Sequence, residues 1–340
     1  MLRHGTTRTH SRRGRLAAVA TSLGLLASVS GCGLLGGEDD AASSGGGDSD
    51  LEQSSITVAH LPSIDVAPLY LAQEKGYFAD EGLDVAIEQA ASGQAATQKM
   101  IGGDADIVQS SYVPYFLAQA KGTAEVRIVA DAVAAAPDTF SLVAKKDGEI
   151  TGVEDLEGKK IAVSATNTIA DTIVKSLMKT NGLDYGSVEW VQVSFPDTAA
   201  AVARGDVAAG TLIEPFLTSG AQEHGVHPIA DVATGPTDSF PLAGYGALAE
   251  FTENNPKTVA AFQRAMEKAT SDAQDRSVVE PIIQDTAKID AETASLVNLP
   301  TFHSSLDASR LQRVPDLMVE FGLIDSKIDA SAMIARPNAA

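Results

Sequence analysis

Strand-like apolar runs alternate with helix-like stretches along residues 56–213, and this alternation constrains the fold more than any other feature of the sequence. The runs ITVAHL (56–61) and ADIVQSS (105–111) are typical of strands, whereas APLYLAQEKG (67–76) is typical of a helix. Strands separated by helices of about ten residues form βαβ units around a parallel sheet. The pattern restarts near residue 141. The sequence therefore predicts two α/β units of similar kind.

The length of the chain and its first loop narrow the class of protein further. A chain of 340 residues that is 44% hydrophobic is long enough for two domains or two lobes. A dinucleotide-binding enzyme would carry a glycine triplet directly after its first strand, but this position reads HLPSIDVAPLY. No Walker lysine motif is present in the sequence either. These observations argue against a nucleotide-dependent enzyme.

The N-terminus has the pattern of a lipoprotein signal peptide. Five arginines and no acidic residue precede an uncharged stretch at residues 16–30. This stretch is too short to span a bilayer and suits the apolar region of a signal peptide. It leads into VSGC (29–32), which resembles a lipobox, so we expect residues 1–31 to be removed and Cys32 to be lipidated. The alternative is a stray thiol in an ordinary signal peptide.

The charge of the mature chain limits its partners. The whole sequence has 25 basic and 45 acidic residues, a net charge of −20, and removal of the five N-terminal arginines leaves 20 basic against 45 acidic, near −25. Such a surface argues against nucleic acid and against an electrostatic attachment to anionic lipid. Cys32 is the only cysteine, which excludes a disulfide within the chain. Residues 32–54 are dominated by glycine, serine and acid and are predicted to be a disordered tether.

Five motifs follow one another between residues 67 and 262. They are APLYLAQEKGYFADEGLDVAIEQA (67–90), GGDADI (102–107), DLEGKKIAV (155–163), GDVAAGTLIEPF (205–216) and NNPKTVAAF (254–262). In this order and spacing they resemble the SsuA-like substrate-binding proteins of ABC importers, which serve nitrate, sulfonates, taurine and thiamine-pyrimidine precursors. The resemblance implies an α/β fold of the two-lobed type II periplasmic-binding-protein kind, in which each lobe is a mainly parallel sheet flanked by helices and two crossing segments join the lobes. Lobe I would comprise residues 55–143 plus 243–338, and lobe II residues 144–242.

The same resemblance implies a function. It predicts an extracytoplasmic solute-binding protein, not an enzyme, which closes its lobes over a small molecule and delivers it to an ABC permease and its ATPase. The protein would be a monomer held by lipid on Cys32 at the outer face of the cytoplasmic membrane, with no cofactor, metal or nucleic acid. Two alternatives stay open: a lipoprotein adaptor or sensor with a degenerate cleft, and an enzyme of the thiamine-pyrimidine type. That enzyme carries a cysteine-rich motif, which this chain lacks.

The expected ligand-binding residues follow from a general rule. Ligands of open α/β sheets lie beyond the carboxyl ends of the strands, next to helix N-termini. The candidates selected in this way are Asp65, Ser92, Gly93, Gln94, Ser110, Ser111, Tyr112, Ser164, Thr166, Asn167, Thr168, Glu214, Phe216 and Asp238. Some of them have a structural alternative, since Ser92, Ser110 and Thr168 are also typical N-caps. No residue is assigned a catalytic role.

The charged candidates are all acidic. Asp65, Glu214 and Asp238 occur in these loops, and no lysine or arginine does. A buried carboxylate is costly without a partner. We therefore expect a small organic ligand that carries an amine, amidine or aminopyrimidine. Organosulfonates such as taurine are the second choice, because backbone N–H groups and hydroxyls can hold an oxyanion.

Overall fold

The computed structural model describes residues 50–336, and these contain the alternation of strands and helices that the sequence predicts. The strands are β1 (Ser55–His60), β2 (Asp84–Gln89), β3 (Ile107–Ser111), β4 (Val126–Ala134), β5 (Phe140–Lys145), β6 (Lys160–Val163), β7 (Glu189–Gln192), β8 (Ala209–Ile213), β9 (Val226–Asp231), β10 (Pro241–Leu248) and β11 (Thr301–Phe302). The helices are α1 (Ala67–Glu74), α2 (Tyr77–Asp80), α3 (Gly93–Gly102), α4 (Tyr112–Lys121), α5 (Ile169–Thr180), α6 (Phe195–Arg204), α7 (Phe216–His224), α8 (Ala249–Asn254), α9 (Pro256–Asp272), α10 (Arg276–Ala287), α11 (Ala291–Leu296) and α12 (Ala308–Glu320). In this part of the chain, no helix combines the length and the apolar character that crossing a membrane requires.

The strands form two sheets, one in each lobe, which confirms the expected two-lobed α/β architecture. The strand order is β11-β4-β10-β3-β1-β2 in lobe I and β7-β6-β8-β5-β9 in lobe II. As expected, most strands of each sheet point the same way, namely β1, β2, β3 and β4 in lobe I and β6, β7, β8 and β9 in lobe II. In lobe I, β10 lies antiparallel between β3 and β4, and in lobe II, β5 lies antiparallel between β8 and β9. The reason is that β5 and β10 enter their sheets from the opposite lobe, without the helical crossover that parallel strands need.

Two short segments connect the lobes. The chain leaves the first sheet after β4 and joins the second at β5, so the first crossing is residues 135–139. It returns through residues 232–240. The boundary predicted at 143 therefore falls inside β5, and the boundary predicted at 242 falls at the start of β10. Arg313 of α12 donates hydrogen bonds to the backbone oxygens of Pro236, Asp238 and Ser239, which ties the second crossing to lobe I.

The folded part of the chain extends further towards the N-terminus than the predicted boundary at residue 55. The Glu52 carboxylate accepts hydrogen bonds from the backbone N–H groups of Lys257 and Thr258 in the first turn of α9. These N–H groups have no partner within the helix and carry partial positive charge, so a carboxylate stabilises them. The end of the predicted tether thus has a structural role. The predicted signal peptide, Cys32 and the rest of the tether lie outside the described residues.

A buried ion pair holds α12 against the sheet of lobe I. Arg310 contacts Asp131 on β4, and their side chains are 16% and 0% exposed. The hydroxyl of Tyr112 donates a hydrogen bond of 2.6 Å to the same carboxylate. Because a buried charge is stable only when it is paired, α12 and β4 depend on each other.

Candidate ligand-binding site

A cavity of about 50 Å³ lies between the two lobes, at the carboxyl ends of strands from both sheets. Its lining comes from lobe I (Leu61, Asp65, Ser92, Gly93, Gln94, Ser111, Leu242 and Ala243) and from lobe II (Phe140, Ser164, Ala165, Thr168, Ile169, Ala170, Phe195 and Ile213). One water molecule needs roughly 10–15 Å³ of such space. In this arrangement of the lobes, the cavity therefore suits a small ligand or part of a larger one.

The structure brings several of the predicted residues together around this cavity. They are Asp65, Ser92, Gly93, Gln94, Ser111, Ser164 and Thr168. In lobe I, Asp65 follows β1, Ser111 ends β3, and the run Ser92, Gly93 and Gln94 follows β2. In lobe II, Ser164 and Thr168 follow β6. The residues thus meet because the carboxyl ends of neighbouring strands lie at one edge of a sheet.

The N-terminus of α3 forms the wall of the cavity on lobe I. The Ser92 hydroxyl caps this helix by accepting a hydrogen bond of 3.2 Å from the N–H of Ala95. The N–H groups of Gly93 and Gln94 belong to the first turn, where no carbonyl of the helix can reach them. A Cβ at Gly93 would stand 2.5 Å from Oγ of Ser110, so glycine permits the close approach of α3 to β3. With no acidic residue in its first turn, α3 presents an unneutralised positive dipole end to the cavity.

The N-terminus of α5 forms the facing wall on lobe II. The Thr168 hydroxyl accepts a hydrogen bond from the N–H of Ala170, and the Thr168 N–H donates to the carboxylate of Asp171 at 2.8 Å. Asp171 is buried and pairs with Lys175 at 2.7 Å. The negative charge of Asp171 therefore already balances much of the dipole of α5. An anionic group would find the α3 side of the cavity more favourable.

Asp65 is the charged side chain of the cavity. It lies in the short 3-10 turn Ile64–Val66, and Ser63 caps this turn by accepting a hydrogen bond from the N–H of Asp65. Among the described residues that line the cavity there is no lysine, arginine or histidine. Burial raises the pKa of Asp65 to about 6, and a hydrogen bond with Ser63 opposes this only in part. Asp65 thus presents a poorly satisfied carboxyl group to whatever occupies the cavity.

The apolar part of the lining was not predicted. Phe140 opens β5 and is paired in register with Ile213, the last residue of β8. Phe195 opens α6, and its ring stacks on Phe216 with centroids 6.2 Å apart. Leu242 belongs to β10. Sequence position offered a signal, since each of these residues lies at or next to the end of a strand or helix.

The structure places other candidates from the strand-end loops outside the lining. Ser110 lies beneath Gly93, on the opposite face of β3 from Ser111. Tyr112 is fully buried and donates its hydroxyl to Asp131. Thr166 is partly exposed outside the lining, and Asn167 is exposed, has a φ of 57°, and borders a separate groove beside α3 and α4.

The candidates around the second crossing also lie elsewhere. Glu214 is 2% exposed, and its carboxylate accepts hydrogen bonds from the N–H and hydroxyl of Thr218 and from the N–H of Asn298 in lobe I. Phe216 lies behind Phe195. Asp238 is exposed, and its backbone oxygen accepts from Arg313. Glu214, Phe216 and Asp238 are therefore not among the residues that line the cavity.

Comparison with curated proteins identifies relatives of two kinds. The riboflavin-binding protein RibY of Chloroflexus aurantiacus is 28% identical over 230 residues, which make up 65% of this chain and 62% of RibY. The 4-amino-5-hydroxymethyl-2-methylpyrimidine phosphate synthase THI13 of Saccharomyces cerevisiae is 26% identical over 217 residues, which make up 60% of this chain and 62% of THI13. The chain therefore spans about three fifths of the length of these relatives.

Solved structures share the fold over most of both chains. The alkanesulfonate-binding protein SsuA from Xanthomonas axonopodis pv. citri, bound to MOPS, has a TM-score of 0.71 at 15% identity, with 83% of this chain and 98% of that chain covered. A ligand-binding component of an ABC-type import system from Staphylococcus aureus has a TM-score of 0.71 at 14% identity, with 84% and 97% covered. These likenesses confirm the two-lobed type II periplasmic-binding-protein fold. The sequence profile of the NMT1/THI5-like family matches residues 63–277, more than half of the sequence, so the chain belongs to the NMT1/THI5-like family.

Proposed function

We propose that this chain is the extracytoplasmic solute-binding lipoprotein of an ABC importer and that it captures a small organic ligand with a nitrogen donor. Lipid on Cys32 would hold the protein, as a monomer, at the outer face of the cytoplasmic membrane, where it delivers the ligand to the permease. The fold shared with a ligand-binding component of an ABC-type import system supports this assignment. So does the cavity between two lobes, because ligand sites are commonly placed at such junctions.

The proposed ligand class is based mainly on the carboxyl group of Asp65. It faces the cavity without a cationic neighbour among the described lining residues, and its pKa is raised to about 6. A buried carboxylate is costly until a cation or several donors satisfy it. An amine, amidine or aminopyrimidine would supply a charge-assisted hydrogen bond, whereas an unsubstituted anion would be repelled. Phe140 and Phe195 add apolar walls that suit a ring or a short carbon chain.

An aminosulfonate such as taurine is the second candidate, and the N-terminus of α3 favours it. This helix end offers the N–H groups of Gly93 and Gln94 together with the hydroxyl of Ser92. Those donors suit an oxyanion, while Asp65 suits the amine of the same molecule. A plain alkanesulfonate would leave Asp65 without a partner.

Closure of the lobes would couple binding to delivery. Asn298 of lobe I donates hydrogen bonds to the Glu214 carboxylate at 3.1 Å and to the backbone oxygen of Asp138 at 3.3 Å. Thr293 of lobe I donates to Gln222 of lobe II at 3.1 Å. Hinge motion at the two crossings would break these contacts and open the cavity. A ligand that contacts both lobes stabilises the closed form, which the permease would then recognise.

An enzymatic function is the alternative that one relative supports, because THI13 is named a synthase. Asp65 is the only residue with an acidic or basic side chain in the described lining. General acid–base chemistry usually needs a positioned donor and acceptor, so this lining supports binding more readily than proton transfer. Mass spectrometry of a bound ligand after long incubation provides the test, since any chemical change in the ligand would favour the enzyme.

Isothermal titration calorimetry of the ligand-free protein tests the proposed ligand class. The series would be 4-aminopyrimidine, 4-amino-5-hydroxymethyl-2-methylpyrimidine, taurine, ethanesulfonate and nitrate. We expect a member that carries an amino group to bind more tightly than ethanesulfonate and nitrate. Tight binding of ethanesulfonate or nitrate alone would refute the ligand class. If none of them binds while a partner protein is captured, the adaptor or sensor function is favoured instead.

A further inference from the structure

Two side chains beneath the cavity have buried polar atoms without partners. Gln109 and Tyr245 are both 0% exposed. Neither Oε1 nor Nε2 of Gln109 has a hydrogen-bond partner among the described residues, and the hydroxyl of Tyr245 has none either. Most buried polar side-chain atoms in proteins are hydrogen-bonded, and each exception calls for an explanation such as a bound molecule. A buried primary amide with both ends free is a costly arrangement for a side chain that only fills the core.

Strand register places these two side chains directly below the cavity. Gln109 of β3 is paired with Tyr245 of β10, and the next pair on the same face is Ser111 with Ala243. Ser111 and Ala243 both line the cavity. Successive residues on one face of a strand are about 7 Å apart. Gln109 and Tyr245 are not themselves part of the lining, and along the two strands only the small side chains of Ser111 and Ala243 lie between them and the end of the sheet on this face.

Two nearby polar side chains, His60 and Tyr70, are hydrogen-bonded to other groups. Nδ1 of His60 lies 2.8 Å from the backbone oxygen of Leu61, and a carbonyl only accepts, so this nitrogen carries the proton. Nε2 of His60 then accepts from the hydroxyl of Tyr70 at 2.9 Å, which uses the Tyr70 proton. On the other side, Tyr245 meets the ring of Phe262 with centroids 5.6 Å apart. Burial raises the pKa of the Tyr245 hydroxyl, and the negative charge of the Asp65 carboxylate adds to this effect.

We propose that Gln109 and Tyr245 form the floor of the ligand site and, together with Asp65, select a planar group that carries an N–H donor beside an acceptor atom. The inference rests on the proposed function and adds two residues to its site. Oε1 of Gln109 and the Asp65 carboxylate accept from the donor of the ligand, while Nε2 of Gln109 and the Tyr245 hydroxyl donate to its acceptor. An amide or an aminopyrimidine presents such an edge, whereas a protonated amidine has no acceptor atom. A simple ammonium offers donors only and would leave Nε2 of Gln109 unpaired.

Two substitutions separate a ligand-binding role from a packing role. Gln109→Met and Tyr245→Phe each remove polar atoms that have no partner within residues 50–336 and keep most of the volume. We expect the melting temperature of the ligand-free protein to stay the same or to rise in both variants. The affinity for 4-aminopyrimidine should fall at least tenfold in Gln109→Met and about threefold to tenfold in Tyr245→Phe, as expected for one or two lost hydrogen bonds. Methylammonium, which lacks the acceptor, should bind equally to the wild-type and variant proteins.

Matched controls come from a half-buried glutamine and a buried tyrosine whose polar atoms do have partners. Oε1 of Gln119 accepts from the N–H of Val126, and the hydroxyl of Tyr115 donates to the backbone oxygen of Val108 at 2.6 Å. Gln119→Met and Tyr115→Phe should therefore lower the melting temperature and leave the affinity unchanged. The inference would be overturned if Gln109→Met lost as much stability as Gln119→Met, or if its affinity for 4-aminopyrimidine were unchanged. In either case the proposed function would still stand. If the wild-type protein binds neither 4-aminopyrimidine nor any other probe that carries an amino group, the proposed ligand class fails and this inference fails with it.

Discussion

Replacement of Asp65 by asparagine should stabilise the ligand-free protein while it weakens ligand binding. The carboxyl group faces the cavity without a cationic partner among the described lining residues, and burial raises its pKa from 3.8 to about 6. An acid whose pKa is higher in the folded state binds its proton more tightly there than in the unfolded chain. Its contribution to stability is therefore neutral below pH 3.8 and becomes increasingly unfavourable as the pH rises towards 6. Above pH 6 the cost is constant.

The size of the effect follows from the shift in pKa. A shift of about two units corresponds to about 3 kcal/mol at 1.36 kcal/mol per unit. Asp65 is only partly buried and keeps contact with the cavity, so solvent screening lowers the expected cost to about 1–3 kcal/mol. The free energy of unfolding of Asp65→Asn should therefore be higher than that of the wild type by this amount at pH 7. Near pH 4 the two free energies should be equal. The same variant should bind a cationic ligand about 10–100-fold more weakly, because hydrogen bonds to charged groups contribute about 1.5–3 kcal/mol.

Urea unfolding followed by circular dichroism, at pH 4, 5, 6 and 7, measures the first effect, and calorimetric titration measures the second. Both proteins must be freed of ligand by unfolding and refolding before the comparison. The reasoning would be refuted by a difference in unfolding free energy that does not change with pH. It would also be refuted if Asp65→Asn were less stable than the wild type at pH 7, because the carboxylate would then have a stabilising partner inside the protein.

Three further predictions concern other parts of the molecule. Arg310→Met should lower the free energy of unfolding by about 3–5 kcal/mol, because it leaves the buried carboxylate of Asp131 unpaired; Asp131→Asn in the same chain should recover part of the loss in denaturant titrations. Gly93→Ala should cost about 1–3 kcal/mol, because its Cβ would stand 2.5 Å from Oγ of Ser110. Removal of that hydroxyl in Ser110→Ala should relieve most of this cost, and equal losses with and without it would contradict the steric explanation. Cys32→Ala should move the protein from the membrane fraction to the soluble fraction of the expressing cell, and retention in the membrane fraction would count against a lipid anchor at Cys32.

The predictable part of the fold consists of features encoded locally. The alternation of strand-like and helix-like hydrophobic patterns along residues 56–213 predicts most strands and helices. Glycines such as Gly103 and Gly205, which have a left-handed backbone conformation, mark where helices end. The position of β10 was not accessible in this way. Its antiparallel insertion between β3 and β4 depends on the return of the chain from lobe II, which no local pattern records. Edge strand β9 contains Pro228, and such a strand has a weak sequence signal.

The candidate site also has a part that the sequence predicts and a part that it does not. The polar residues at the cavity, such as Asp65 and Ser92, follow from the rule that ligands lie at the carboxyl ends of strands. Glu214 satisfied the same rule, but tertiary contacts engage its carboxylate with Thr218 and with Asn298 of the other lobe. Gln109 lies inside a strand, where a sequence offers no sign that a polar side chain will be left without a partner. Pairing across the lobes and satisfaction of buried polar atoms are properties of the folded chain.

Native mass spectrometry of the protein, purified without denaturation, tests the central claim most directly. We expect one small molecule per chain, with an amino, amidine or aminopyrimidine nitrogen, and we expect this molecule to be absent when Asp65→Asn is purified in parallel. A wild-type protein that carries no small molecule and binds none of the probes with an amino group would contradict the account. So would a bound molecule that is retained equally by the Asp65→Asn variant.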